Sequence, residues 1–252
     1  MYNTIQALSV VISLLFGTFY GQKYGFGKFK SFLITLFTQV AGFAGIFVLT
    51  WIESGFKKFG SQNAVRVYVL CTFFVWLEHK IFKVDFRKCL DFQGITPALG
   101  YGIAHLACLF PRCCFGFQYV EGSTMYKIAN ALTGTNQLPM QLWESLYALL
   151  LFAVLLIVAY KGKFNGSGKL IAWFQIFFGA GRFGWEFLRD NKKLIILAPM
   201  KDAVSVEAHG AVWGISNLAL WAAATFIVGI ITLIILNSFD KKKIKEPALN
   251  AA

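Results

Sequence analysis

Apolar residues fall along this chain in long blocks rather than in the alternating or one-sided patterns of a water-soluble fold. The blocks cover 5–21, 31–52, 64–77, 92–111, 140–160, 169–188 and 211–237. Most approach the roughly 20 residues that a helix needs to cross a hydrocarbon core. The third is short and carries Arg66 near one end. Lys-rich or Gly/Asn/Ser-rich stretches at 57–61 and 162–168 separate blocks and read as loops. The pattern predicts an all-α integral membrane protein of about seven transmembrane helices. One polytopic domain is expected over 1–240, followed by a basic cytoplasmic tail at 241–252. No internal repeat is visible, which counts against transporters built from inverted repeats.

Lys and Arg resist translocation, so their distribution over alternate loops sets an orientation. Fourteen lie on the side that holds Lys23, Lys28 and Lys30 and the C-terminal lysines, and nine on the other. This bias puts the N-terminus outside and the C-terminus in the cytoplasm. Residues 1–22 carry no charge, and no small-residue cleavage site follows, so the first block is expected to be a retained span and not a signal peptide.

Composition agrees. The 252 residues are 57% hydrophobic and 14% charged, with 27 Phe, against about a quarter charged in soluble domains. A net charge of +12 on so apolar a chain points to an anionic membrane surface and not to nucleic acid. Five Cys are too few for a disulfide scaffold.

In such a chain the ionisable residues inside the blocks are the candidates for function, because a charge at the bilayer centre costs at least about 2.5–3.5 kcal/mol. The sixth block carries Gln175, Gly179, Arg182, Glu186 and Arg189 at spacings of 4, 3, 4 and 3, which place them on one helical stripe. An Arg182–Glu186 pair could simply neutralise itself; Arg189, one turn on, has no carboxylate left and points to an anionic ligand. The fourth block ends with His105 and Arg112, and the fifth begins with Gln141 and Glu144 on one face. Glu144 could equally be a first-turn carboxylate favoured by the helix dipole, and His105 a hydrogen-bonded interface residue. With the orientation above, all three groups fall in one layer beneath the outer headgroups.

Three strings carry a family resemblance. GIAHLACLFPRCCFG at 102–116 resembles the G-R-I-G-C-x-x-x-G-C-C-Y-G segment of Gram-positive-type phosphatidylglycerol:prolipoprotein diacylglyceryl transferases. LPMQLWE at 138–144 resembles their H-P-T-Q-L-Y-E, and GAGRFGWEFLRD at 179–190 their G-x-x-R-F-x-x-E-F-x-R. His105 stands at the motif Arg, Leu138 at the His and Trp143 at the Tyr, and no His-Gly-Gly motif precedes the fourth block. The resemblance implies transfer of a diacylglyceryl group from phosphatidylglycerol to the lipobox Cys of a prolipoprotein signal peptide, forming a thioether and releasing glycerol phosphate.

It also implies roles. His105, Glu144, Arg182 and Glu186 would be catalytic, with His105 or Glu144 as general base, while Arg112, Gln141, Arg182 and Arg189 would bind substrate. Arg is suited to a departing phosphate because its planar fork donates two parallel hydrogen bonds. Neither cofactor nor metal is implied, since Cys108, Cys113 and Cys114 lack paired C-x-x-C spacing. Two alternatives stand beside this reading. One is a divergent relative that acts on another lipid or acceptor, or is inactive. The other is a transporter, although the inner halves of the blocks lack the polar groups that a pathway needs.

Overall fold

The computed structural model describes residues 1–57, 64–162, 164–189, 194–195 and 215–249. In chain order the helices are α1 (Tyr2–Tyr20), α2 (Lys28–Glu53), α3 (Val65–Tyr68), α4 (Cys71–Phe82), α5 (Phe86–Gln93), α6 (Thr96–Leu106), α7 (Thr124–Thr133), α8 (Met140–Tyr160), α9 (Lys169–Glu186) and α10 (Asn217–Leu249). Two two-residue strands, β1 (Leu194–Ile195) and β2 (Ile215–Ser216), pair antiparallel just before α10.

Four stretches are long and apolar enough to cross a membrane: Tyr2–Tyr24, Lys28–Ile52, Met140–Tyr160 and Leu218–Lys241. Their outer faces expose Leu8, Leu15, Val40, Leu150, Ile227 and Ile234, as suits a multi-pass membrane protein whose solvent is lipid. Of the other three expected spans, the sixth block forms the continuous helix α9 and two are built from shorter pieces. The block at 64–77 breaks after Tyr68 into α3 and α4. The freed Tyr68 carbonyl accepts from Gln175 Nε2 at 3.1 Å, and Thr72 Oγ1 donates to Gln175 Oε1 at 3.2 Å. Gln175 thus satisfies the break instead of joining the charged groups of its own stripe. The block at 92–111 begins within α5 and continues as α6, because Pro97 sits in the first turn of a new helix.

α10 runs through 240 without a break, so no change of backbone structure marks the expected start of the tail. The start of the last block, 211–214, and His209 lie outside the described residues, as do 58–63 in the loop expected at 57–61.

The helices alternate between two ends. At one end, Lys23 lies over the Tyr160 ring, and Asp240 of α10 pairs with Arg87 of α5 at 2.5 Å and Lys169 of α9 at 2.8 Å. The start of α9 is fixed there by Asp91, whose Oδ1 accepts from Leu170 N–H at 3.0 Å. The opposite end collects the start of α1, the end of α6, the start of α8 and the end of α9, joined in part by Gln6 Nε2 donating to the Ala104 carbonyl at 3.0 Å.

α9 lies against α10 at backbone distance. A Cβ at Gly179 would fall 2.6 Å from Phe226 N and 2.8 Å from Ala222 O, and one at Gly229 would fall 2.9 Å from Ile176 N. Only glycine permits such an approach.

Candidate active site

Glu144, in the second turn of α8, is the hub of the cluster. α6 presents Tyr101 and His105, four residues apart and therefore on one face. The Tyr101 hydroxyl donates to Glu144 Oε2 at 2.7 Å, and His105 Nε2 lies 3.1 Å from the same oxygen. Their rings stack at 5.0 Å between centroids with 13° between planes.

α9 supplies the cations. Arg182 Nη1 approaches Glu144 Oε1 at 3.7 Å, and Arg189 Nη1 approaches it at 3.5 Å. Arg182 also pairs closely with Glu186, and Arg189 lies 3.5 Å from Glu186 Oε1. α9 ends at Glu186, but the chain keeps turning, with Arg189 N–H donating to the Glu186 carbonyl at 3.4 Å. Ser216, the residue before α10, accepts from Ala219 N–H at 3.0 Å and donates to Glu186 Oε2 at 2.7 Å.

Glu144, Arg182 and Glu186 are at most 4% exposed, so these charges are stabilised by one another. An ion pair taken out of water holds only if its remaining lone pairs and protons are met. One oxygen of each carboxylate meets that condition, Glu144 Oε2 through Tyr101 and Glu186 Oε2 through Ser216, while both Oε1 atoms face the guanidiniums. Arg182 Nε has no hydrogen-bond partner among the described residues, and the two guanidinium contacts to Glu144 are longer than hydrogen bonds. Donor capacity is therefore left over.

Arg182 and Arg189 also line a cavity of about 490 Å³. Its charged end is formed by Gln6, His105, Arg182 and Arg189, with Cys114 beside them, and its walls by apolar side chains such as Phe43, Phe47, Val67 and Phe74 of α2, α3 and α4. One end suits an anion and the rest suits hydrocarbon.

His105, Glu144, Arg182, Glu186 and Arg189 thus come together, although they were read from three separate blocks. Gln141 is buried one turn before Glu144 and donates to the Cys113 carbonyl, so it holds a loop instead of facing the cavity. Arg112 does not reach the cluster. After the 3₁₀ turn at Ala107–Leu109, the backbone at Arg112 enters the left-handed region (φ 50°), and the exposed side chain is carried out toward Gly134 ahead of α8. Tyr101 and Ser216 were not anticipated. The signal for Tyr101 was its i, i+4 spacing from His105; β2 and the Ser216 cap had none.

The family model described as prolipoprotein diacylglyceryl transferase matches residues 46–236. The phosphatidylglycerol–prolipoprotein diacylglyceryl transferase of Clostridium tetani (strain Massachusetts / E88) is 27% identical over 150 residues, covering 58% of this chain and 56% of that protein. Phosphatidylglycerol–prolipoprotein diacylglyceryl transferase 2 of Clostridium perfringens (strain 13 / Type A) is 24% identical over 215 residues, covering 76% of this chain and 79% of that protein. The chain therefore aligns with about half the length of the first relative and about four fifths of the second. With the family match spanning the cluster from Tyr101 to Ser216, the chain belongs to the prolipoprotein diacylglyceryl transferase family.

Proposed function

We propose that this chain transfers the diacylglyceryl group of phosphatidylglycerol to the thiol of a prolipoprotein lipobox cysteine, at the outer face of a bacterial plasma membrane. In this reading the chain crosses seven times, through α1, α2, α3 with α4, α6, α8, α9 and α10. The N-terminus is outside and the Asp240 end is cytoplasmic. The observation that carries the function is the cavity, cationic at one end and apolar along its walls, with two guanidiniums beside a buried carboxylate.

The acceptor sulfur attacks the glyceryl carbon that bears the phosphate oxygen. A C–S bond forms, the C–O bond breaks, and the electron pair leaves with glycerol phosphate, while the thiol proton passes to a base. Arg182 and Arg189 hold the phosphate and meet the charge that grows on it as the bond breaks. Glu186 and Ser216 keep Arg182 in place. Gln141 supports the loop above the site, and Arg112 lies outside it.

Of the two candidate bases, His105 is the better placed. Glu144 is surrounded by Tyr101, His105 and two Arg, and its role is to organise them. With the proton of His105 on Nε2, toward Glu144, Nδ1 is the nitrogen that accepts the thiol proton.

The test uses protein reconstituted in phosphatidylglycerol vesicles with a lipobox peptide. Thioether formation is read by mass spectrometry and glycerol phosphate is assayed in solution. Equal amounts of both products support the reading, and their loss in Arg182→Lys ties them to the cluster. Glycerol phosphate release without peptide modification would favour a different acceptor, a reading that His105 at the motif Arg position keeps in play. Absence of both products would overturn the proposal.

A further inference from the structure

Beside the charge cluster, the loop after α6 gathers Cys108, Cys113 and Cys114, with each Sγ within 4.8 Å of the other two. Their spacing in sequence lacks any C-x-x-C pair and argued against a metal. The fold supplies what the spacing does not. The 3₁₀ turn at Ala107–Leu109 reverses the chain, and left-handed backbone at Arg112 and Cys114 (φ 50° and 66°) folds the second and third cysteines onto the first. Cys113 N–H then donates to the Cys108 carbonyl at 3.3 Å.

Thiolates are the soft donors that such a three-sided arrangement offers. Cys113 is exposed and the other two are half-buried, so the cluster is open from outside the bundle. Zn–S bonds of about 2.3 Å put tetrahedral sulfurs roughly 3.8 Å apart, so shifts of about an ångström or less would close the cluster around an ion.

We propose that Cys108, Cys113 and Cys114 form a three-thiolate site for a soft d¹⁰ cation, Zn(II) or Cu(I). Such an ion fastens the outer loop to the catalytic layer. The Cys113 carbonyl accepts from Gln141 of α8, Gly116 bridges to Arg189, and Phe117 N–H donates to the Leu188 carbonyl at 3.1 Å. Metal binding therefore fixes the segment on which Arg189 is carried. The site does not rest on the transferase reading, and its test does not use activity.

The purified full-length protein, reduced with a phosphine, is loaded with Zn(II), Cu(I) or Mg(II), desalted, and assayed for retained metal and thermal midpoint. One equivalent of Zn(II) or Cu(I) should be retained, with a midpoint raised by several degrees, and Mg(II) should be lost. Chelator competition then identifies which of the two soft ions is preferred. Cys113→Ser, the exposed and mildest change, should weaken retention at least about tenfold, a loss of about 1.4 kcal/mol, and the triple Ser variant should retain none. No retained soft metal in the reduced wild type would overturn the site. So would unchanged affinity in Cys113→Ser, full retention by the triple variant, or a native disulfide joining any two of the three.

Discussion

The Tyr101 hydroxyl holds Glu144 Oε2 at 2.7 Å while its ring lies flat on His105. The carboxylate that organises both arginines is thus positioned from α6, by a neutral donor. Tyr101→Phe removes the donor and leaves the stack. A buried acceptor that loses its partner costs about 1–3 kcal/mol, so the thermal midpoint of the purified protein should fall measurably, with transfer activity reduced less than in any arginine variant. An unchanged midpoint would mean that His105 alone suffices to hold Glu144.

Glu144→Gln keeps the shape and removes the charge. Arg182 and Arg189 would then share Glu186, and breaking a buried charge network from one side costs about 3–5 kcal/mol. We expect a strongly destabilised protein with little transfer, read by detergent-solubilised melting and the peptide assay together. Stable but inactive protein would instead assign Glu144 a direct chemical role.

For Arg182→Lys the expectation is opposite in stability. The charge stays beside Glu186, but the planar fork is lost. One charge-assisted hydrogen bond is worth about 1.5–3 kcal/mol, so kcat/KM should fall on the order of ten- to a hundredfold while membrane insertion and melting stay near wild type.

His105 is tested by two replacements. His105→Gln retains a polar contact to Glu144 without a proton acceptor of imidazole strength, and transfer to the lipobox peptide should drop about 10²- to 10⁴-fold, the usual contribution of a general base. His105→Arg restores the residue of the family motif. Activity in Arg alone would show that the position serves the phosphate and not the thiol.

At the other end of α9, Asp91 gives a pH-dependent signature. Burial raises its carboxyl to about 6, against the hydrogen bonds from the Leu170 N–H and neighbouring backbone groups. The unfolded value is about 3.9, so the folded state prefers the protonated form. Its contribution to stability is complete below about pH 4 and is lost as pH rises through about 6. Asp91→Asn should flatten the melting temperature across that window.

Much of the site was legible because helical spacing converts sequence directly into a face: 182, 186 and 189 needed no tertiary information to be grouped. Depth supplied the rest, since alternating blocks put the end of the fourth, with His105, beside the start of the fifth, with Glu144. Arg112 lies apart from the cluster because its place depends on one left-handed residue after a 3₁₀ turn, and no periodicity predicts that. Gln175 lies apart for a different reason. It shares the stripe but faces the break between α3 and α4, which the apolar run at 64–77 conceals. The cysteine cluster was hidden because spacing describes ligands on a regular hairpin and not on a folded-back loop.

The glycines at 179 and 229 fix more than a distance. Helices touching main chain to main chain have no side-chain cushion to shear, so α9 cannot ratchet or roll against α10 without prising the pair apart. Arg182, three residues beyond Gly179, is therefore carried on an immobile post, and its height in the bundle is set by the α10 backbone. Across the cavity, α1 and α2 close on each other at Gly17 and Gly21, but there the neighbour is a side chain, Thr35 or Ser31, and not main chain. In the proposed reaction, any opening that admits acyl chains therefore belongs to that wall, while the charged layer stays still.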